Sequence, residues 1–215
     1  MLAKKLIWAL VMGFALVTAG AANAQDDNPI DAFFNGIGQI FAGDGGPAIY
    51  PEQVSPYRQV PAQFRRTTVT YQTDERPGTI IIDPKWHFLY YVLGNDQAIR
   101  YGIGVGRTGF GWHGTVHIGR KAEWPGWTPP REMVIREAKR GHKLPAYMKG
   151  GIGNPLGARA MYLFGKGGDT GFRIHGTSEP WTIGLNVSSG CIRLINQDVI
   201  DLYNRARVGA KVIVL

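Results

Sequence analysis

Between Thr79 and Val105 the chain alternates short β-branched or aromatic runs with turn-forming residues, and no other stretch limits the possible folds so closely. Thr79-Ile80-Ile81-Ile82 predicts a strand, Asp83-Pro84-Lys85 a turn, Phe88 to Leu93 a second strand, Gly94-Asn95-Asp96 another turn, and residues 98–105 a third strand. Runs this short, bounded by Gly, Pro, Asn and Asp, make hairpins. The texture returns later. Residues 156–164 predict a strand with Ala158, Ala160, Tyr162 and Phe164 on one face, Phe172-Arg173-Ile174 a short strand ending at His175, and residues 211–215 a buried closing strand. Two helices interrupt the strands: residues 131–140, stopped by Gly141, and a segment capped by Asn196 whose Val199, Leu202, Tyr203 and Ala206 follow an i, i+3, i+4, i+7 pattern. The expectation is a mostly β domain with one or two short helices.

Ahead of that domain the chain reads differently. Lys4 and Lys5, an apolar run from Leu6 to Val17, and Ala22-Asn23-Ala24 before Gln25-Asp26-Asp27 have the layout of a secretory signal over residues 1–24. The apolar run is shorter than the ~20 residues a membrane span needs. Residues 25–76 show no sustained period, carry Pro29, Pro47, Pro51, Pro56 and Pro61, and read as an extension or linker; within it, residues 31–41 are a short helix candidate weakened by two glycines. Residues 77–215 are then one domain of ordinary size. Loss of residues 1–24 removes two lysines and no acid, which leaves 22 basic against 16 acidic side chains and a net charge of +6. In an exported protein that charge suits a carboxylate-rich wall polymer or an anionic membrane surface, and nucleic acid is a poor fit for the compartment.

Export changes the meaning of the single cysteine, Cys191. Structural cysteines in oxidising compartments come in pairs, and Cys191 has no partner in its own chain. It is a nucleophile, half of an intermolecular disulfide, or an inert buried thiol. A thiol attacks a carbonyl only as the thiolate, so a nucleophile needs a base. His175 ends a predicted strand sixteen positions before Cys191 and is followed by Gly176, where an imidazole can project into a cleft. Pairing of that kind would depress the thiol pKa and make Cys191 quick to label. Gly190 lets a substrate backbone approach, and the amides of residues 190 and 191 are candidates for an oxyanion site. Arg193 shares a face with Cys191 if the segment is extended, and either holds a substrate carboxylate or ties down its loop.

Other patterns carry less. His113 and His117 fall on a predicted strand, where positions four apart lie ~13 Å from each other, and no Cys or carboxylate cluster completes a zinc site. No metal and no cofactor is expected. His87 and His142 stand alone in the sequence. Residues 109–114 and 124–130, dense in glycine and aromatics, either line a cleft or form a packed aromatic corner.

His175-Gly176-Thr177, Pro180-Trp181, Ile183-Gly184 and Ser188-x-Gly190-Cys191-Ile192-Arg193 closely resemble the signature of the L,D-transpeptidase (YkuD-type) catalytic domain, and residues 123–125 and 154–160 look like that family as well. The resemblance covers about residues 77–215. It implies a mostly β, sandwich-like domain, a periplasmic location, and a cysteine enzyme acting on peptidoglycan stem peptides. In that reading Cys191 is the nucleophile, His175 the general base and acid, and the Gly176 carbonyl orients the imidazole. Ser188 matches the family's Ser/Thr position and fixes the loop, with Ser189, Gly190 and Arg193 at the oxyanion and substrate side. Many members have histidine where this chain has Ser189, so that position supplies no base here. The resemblance implies as acceptor another stem peptide, the lysine of an outer-membrane protein or lipoprotein, or water; a catalytically idle wall-binding module is the competing class.

Overall fold

The three isoleucines Ile80, Ile81 and Ile82 are all buried, at 0%, 4% and 0% exposure, so the strand they form is covered on both faces and belongs in the middle of a sheet. The computed structural model describes residues 60–107 and 111–215 and places it there. The strands are β1 (Thr67–Thr70), β2 (Ile80–Asp83), β3 (Phe88–Gly94), β4 (Gln97–Gly102), β5 (Val105–Gly106), β6 (Gly114–Glu123), β7 (Arg159–Gly165), β8 (Gly168–His175), β9 (Asn186–Ser188), β10 (Ile192–Arg193) and β11 (Lys211–Val214); the helices are α1 (Arg131–Ala138) and α2 (Asn196–Arg205). Nine strands form one mixed sheet in the order β1-β4-β3-β2-β11-β6-β7-β8-β10, and β5 pairs with β9 in a second, two-stranded sheet. The domain is mostly β with two short helices, as the hairpin pattern predicts.

Local chemistry accounts for much of this. Asn95 and Asp96 take φ values of 52° and 54° between β3 and β4, a two-residue turn whose twist matches paired antiparallel strands. The last strand, β11, inserts parallel to β2 and antiparallel to β6, so the C-terminal segment closes the middle of the sheet. One apolar cluster joins Ile82, Leu89, Tyr101, Ile118, Met161, Leu163, Ile174 and Val212 to Val199 and Leu202 of α2. Each side chain of this size contributes ~1.5–3 kcal/mol on burial.

Two expectations need correction. Asn196 is not the N-cap of α2; Ile195 holds that position without a side-chain cap, and Asn196 is the first helical residue. Its amide oxygen is taken by the backbone N–H of Ala158 at 2.9 Å. Residues 60–76, grouped with the extension by sequence, pack on the domain: β1 pairs with β4, and Val60 and Phe64 bury against Ile183 and Ile195. β1 is held by backbone pairing and turns one half-buried side chain, Val69, inward, which leaves no alternating apolar signal to read. The secretory signal, the 31–41 helix candidate and Gly109-Phe110 lie outside the described residues.

Phe64 lies so close to β4 that a Cβ on Gly102 would overlap its carbonyl oxygen and sit 2.5 Å from its Cβ. Gly102→Ala is therefore expected to cost about 1–3 kcal/mol in chemical denaturation. The clash is with backbone as well as side chain, so the cost should shrink in a chain from which residues 60–66 are deleted; equal penalties in both would mean that this segment does not pack there.

Candidate active site

The site is set by a two-residue ladder. β10 runs parallel to β8 with Ile192 opposite Ile174 and Arg193 opposite His175. Ile174 and Ile192 both point into the core, at 0% and 3% exposure. Side chains alternate along strands, so Cys191, Arg193 and His175 face the other way together. That face opens into a cleft of about 160 Å³ shared by His175, Cys191, Ser188 and Ser189, with Trp127, Met133 and Leu156 on its walls. The two glycine–aromatic stretches divide between the two readings: Trp127 lines the cleft, whereas Trp112 stacks on Phe172 at 5.0 Å beside the core.

His175 is 4% exposed, and its Nδ1 lies 2.5 Å from the Gly176 carbonyl oxygen. A carbonyl only accepts, so Nδ1 carries the proton and Nε2 is left with a lone pair, the tautomer a general base requires. Gly176 is itself held, because its N–H donates to the Arg159 carbonyl at 3.0 Å and Asn196 Oδ1 fills the space beside its Cα and that of Gly157. Burial lowers the His175 pKa to about 3, with the charges of Arg193 and Arg173 acting in the same direction and the Gly176 hydrogen bond against them. The resting imidazole is neutral.

Cys191 is free and partly exposed in the cleft. Burial of its sulfur raises the thiol pKa, opposed by the Arg173 backbone and by the charges of Arg173 and Arg193. This corrects the expectation of a depressed thiol: enclosure outweighs the nearby cations. Among the described residues no hydrogen bond joins His175 to the sulfur. The free site thus holds a neutral thiol and a neutral imidazole on one face of the cleft.

Ser188 organises the loop. Its hydroxyl donates to the Cys191 carbonyl at 2.6 Å and accepts the Gly190 N–H at 3.2 Å. Of the two amides considered for an oxyanion, that of Gly190 is therefore engaged within the loop. Gly190 has φ 106°, which only glycine adopts without strain. Ser189 lines the cleft. For Arg193, the structure selects the tie: one guanidinium nitrogen binds Glu179 Oε2 at 2.8 Å and Thr182 Oγ1 at 3.4 Å, and its backbone exchanges two hydrogen bonds with Gly104.

Sequence reasoning missed the charged groups around Cys191. Glu179 is 4% exposed, and its second oxygen, Oε1, has no partner. Burial raises its pKa while Arg193 lowers it. Glu137, 1% exposed on α1, is bound by Arg136 at 3.1 Å, with Arg140 at 3.7 Å and His142 at 3.4 Å, so His142 does not stand alone. His87 likewise has a partner, Asn186 Oδ1 at 2.8 Å. Nothing in the sequence marked these glutamates, because their burial exists only in the fold and their arginine partners lie up to 14 residues away. His113 and His117 are exposed, and among the described residues no group of three His, Cys, Asp or Glu side chains gathers in metal-binding geometry.

Comparison with known proteins places this site in context. A family model described as the L,D-transpeptidase catalytic domain matches residues 77–214. The probable L,D-transpeptidase ErfK/SrfK of Escherichia coli is 36% identical over 141 residues, which cover 64% of this chain and 43% of that protein. The probable L,D-transpeptidase YbiS of the same organism is 34% identical over 139 residues, covering 63% and 43%. The chain thus spans less than half the length of these relatives. A solved chain named probable carnitine operon oxidoreductase CaiA, from Brucella melitensis, is 48% identical and aligns over 75% of this chain and 100% of its own, with a TM-score of 0.49.

The raised thiol pKa predicts that alkylation of Cys191 is slow at neutral pH and keeps accelerating above the ordinary cysteine range of about 8.5. Mass spectrometry of iodoacetamide labelling against pH measures this, and a rate already level by pH 7 would show a preformed thiolate instead. His175 generates a stability prediction. An unfolded histidine titrates near ~6.5, so below that pH the unfolded chain binds a proton that the native one refuses, and native stability falls on acidification. Denaturation at pH 7 and pH 5 should differ by about 2 kcal/mol more in the wild type than in His175→Gln.

Proposed function

The chain belongs to the L,D-transpeptidase catalytic domain family, and from that premise we propose that it is an exported cysteine acyltransferase of peptidoglycan. It acts on stem tetrapeptides, taking the acyl group at the L-centre of the third residue, usually diaminopimelate, and releasing the terminal D-alanine. The observation that carries this reading is the β8–β10 register, which sets an imidazole of the required tautomer and the only cysteine on the same face of one cleft.

The steps follow from that geometry. His175 Nε2 takes the Cys191 proton as the sulfur adds to the scissile carbonyl, so that charge separates only as the transition state forms. The tetrahedral oxyanion lies at the turn of residues 190–191, where the Cys191 amide is the candidate donor. Collapse breaks the C–N bond, the imidazolium returns its proton to the leaving amine, and a thioester remains. An acceptor amine then attacks the thioester, again giving its proton to Nε2, and expels the thiol. Carbonyl anchorage of Nδ1 keeps the ring from rotating between these steps, the part that a carboxylate plays in Ser-His-Asp enzymes.

The export signal of residues 1–24 and the net charge of +6 that follows its removal support action at an anionic wall polymer in the periplasm. The amine is that of another stem peptide or of a protein lysine, with water as the hydrolytic alternative.

Incubation of the full-chain protein with tetrapeptide-stem muropeptides should release D-alanine and give a protein mass increased by the acyl group. Cys191→Ala is expected to lower release by about 10³-fold or more while leaving the fold intact. Product masses identify the acceptor. Wild-type inactivity on every such donor, or acylation that survives Cys191→Ala, would end this reading.

A further inference from the structure

Three arginines line the cleft beside the nucleophile, and their partners differ. Arg193 is paired with Glu179, and Arg136 with Glu137. Arg107 also lines the cleft, half-buried, and among the described residues its guanidinium has neither a hydrogen bond nor an ion pair. Each cleft glutamate already faces an arginine, Glu179 through Oε2 alone, and Arg140 adds a further positive charge on Glu137. The cleft therefore holds more cationic charge than its own carboxylates neutralise, at a site where desolvation makes an unpaired charge costly. Burial and the charges of Arg136, Arg140 and Arg193 lower the Arg107 pKa, with Glu137 opposing, as expected for a cation that lacks its anion.

The position of Arg107 is fixed relative to the chemistry. Its backbone N–H donates to the Ser188 carbonyl at 3.0 Å, and the Ser188 hydroxyl donates to the Cys191 carbonyl at 2.6 Å. Two hydrogen bonds thus tie its backbone to the residue that carries the sulfur. A donor peptide has two carboxylates near its scissile bond: the terminal one, a single residue or ~3.6 Å of chain further on, and the one on the third residue's side chain. A guanidinium fork matches either in bidentate geometry.

We propose that Arg107 is the carboxylate anchor of the cleft, binding one free carboxylate of the donor stem peptide and so selecting donors that carry it. This rests on the transpeptidase reading above. It assigns to Arg107 the substrate-holding role considered for Arg193 from sequence, and leaves Arg193 as the strut of the loop.

The test compares three tetrapeptide donors, one with both carboxylates free, one with the terminal carboxylate as its carboxamide, and one with the third-residue side-chain carboxylate as its carboxamide. Wild type, Arg107→Met and Arg107→Lys are assayed for thioester formation, and thermal melting confirms that each variant folds. Wild type should lose about 10- to 100-fold in kcat/KM on one of the two amides, which identifies the carboxylate bound. Arg107→Met should lose a similar factor on the free-acid donor, mainly through KM, and nothing further on that amide, while Arg107→Lys recovers part of the loss. An equal loss on all three donors, or no loss, would overturn the anchor. Equal wild-type rates on all three would overturn the anchor alone, whereas no thioester with any donor would remove the transpeptidase reading and the anchor with it.

Discussion

The active site depends on two residues of parallel pairing at one edge of a nine-stranded sheet. Ile192 opposite Ile174 is a core contact, and its consequence is that Cys191 and His175 have no choice of face. A slip of one residue would turn the sulfur into the core and an isoleucine into the cleft. The ladder is short, so its register is secured from outside it. The Gly104–Arg193 backbone pair, the Arg193–Glu179 ion pair and the Ser188 hydroxyl on Cys191 each fix one side of the loop.

The electrostatics of the site follow from this enclosure. Burial disfavours both imidazolium and thiolate, so the ion pair familiar from other cysteine enzymes is not the resting state. Arg173 and Arg193 favour the thiolate but oppose the imidazolium, and cannot promote both halves of the transfer at once. The protein instead fixes the tautomer, through the carbonyl of a glycine whose own N–H is held by Arg159 and whose Cα abuts Asn196.

Much of the frame was legible in the chain. The isoleucine strand and the Gly94-Asn95-Asp96 turn follow from local rules, since steric preference and alternation act within a few residues. The β1 strand was illegible because its stabilisation is a backbone ladder to β4, which leaves little mark on side-chain choice. Asn196 misled for a related reason: its amide was read as satisfying its own helix, while a donor 38 residues away reaches it at 2.9 Å.

The amino-acid sequence by itself determined the chemistry that is possible: one cysteine, a histidine sixteen positions before it, glycines where backbone must come close, and a strand pattern that can only build a β domain. These are matters of residue type and near-neighbour spacing. Tertiary structure alone decided the protonation state of the pair, the tautomer of His175, the pairing of Arg193 with Glu179, and the lack of a partner for Arg107 among the described residues. Each of those depends on desolvation and on charges from segments far apart in sequence, and both quantities exist only once the sheet has closed around the cleft.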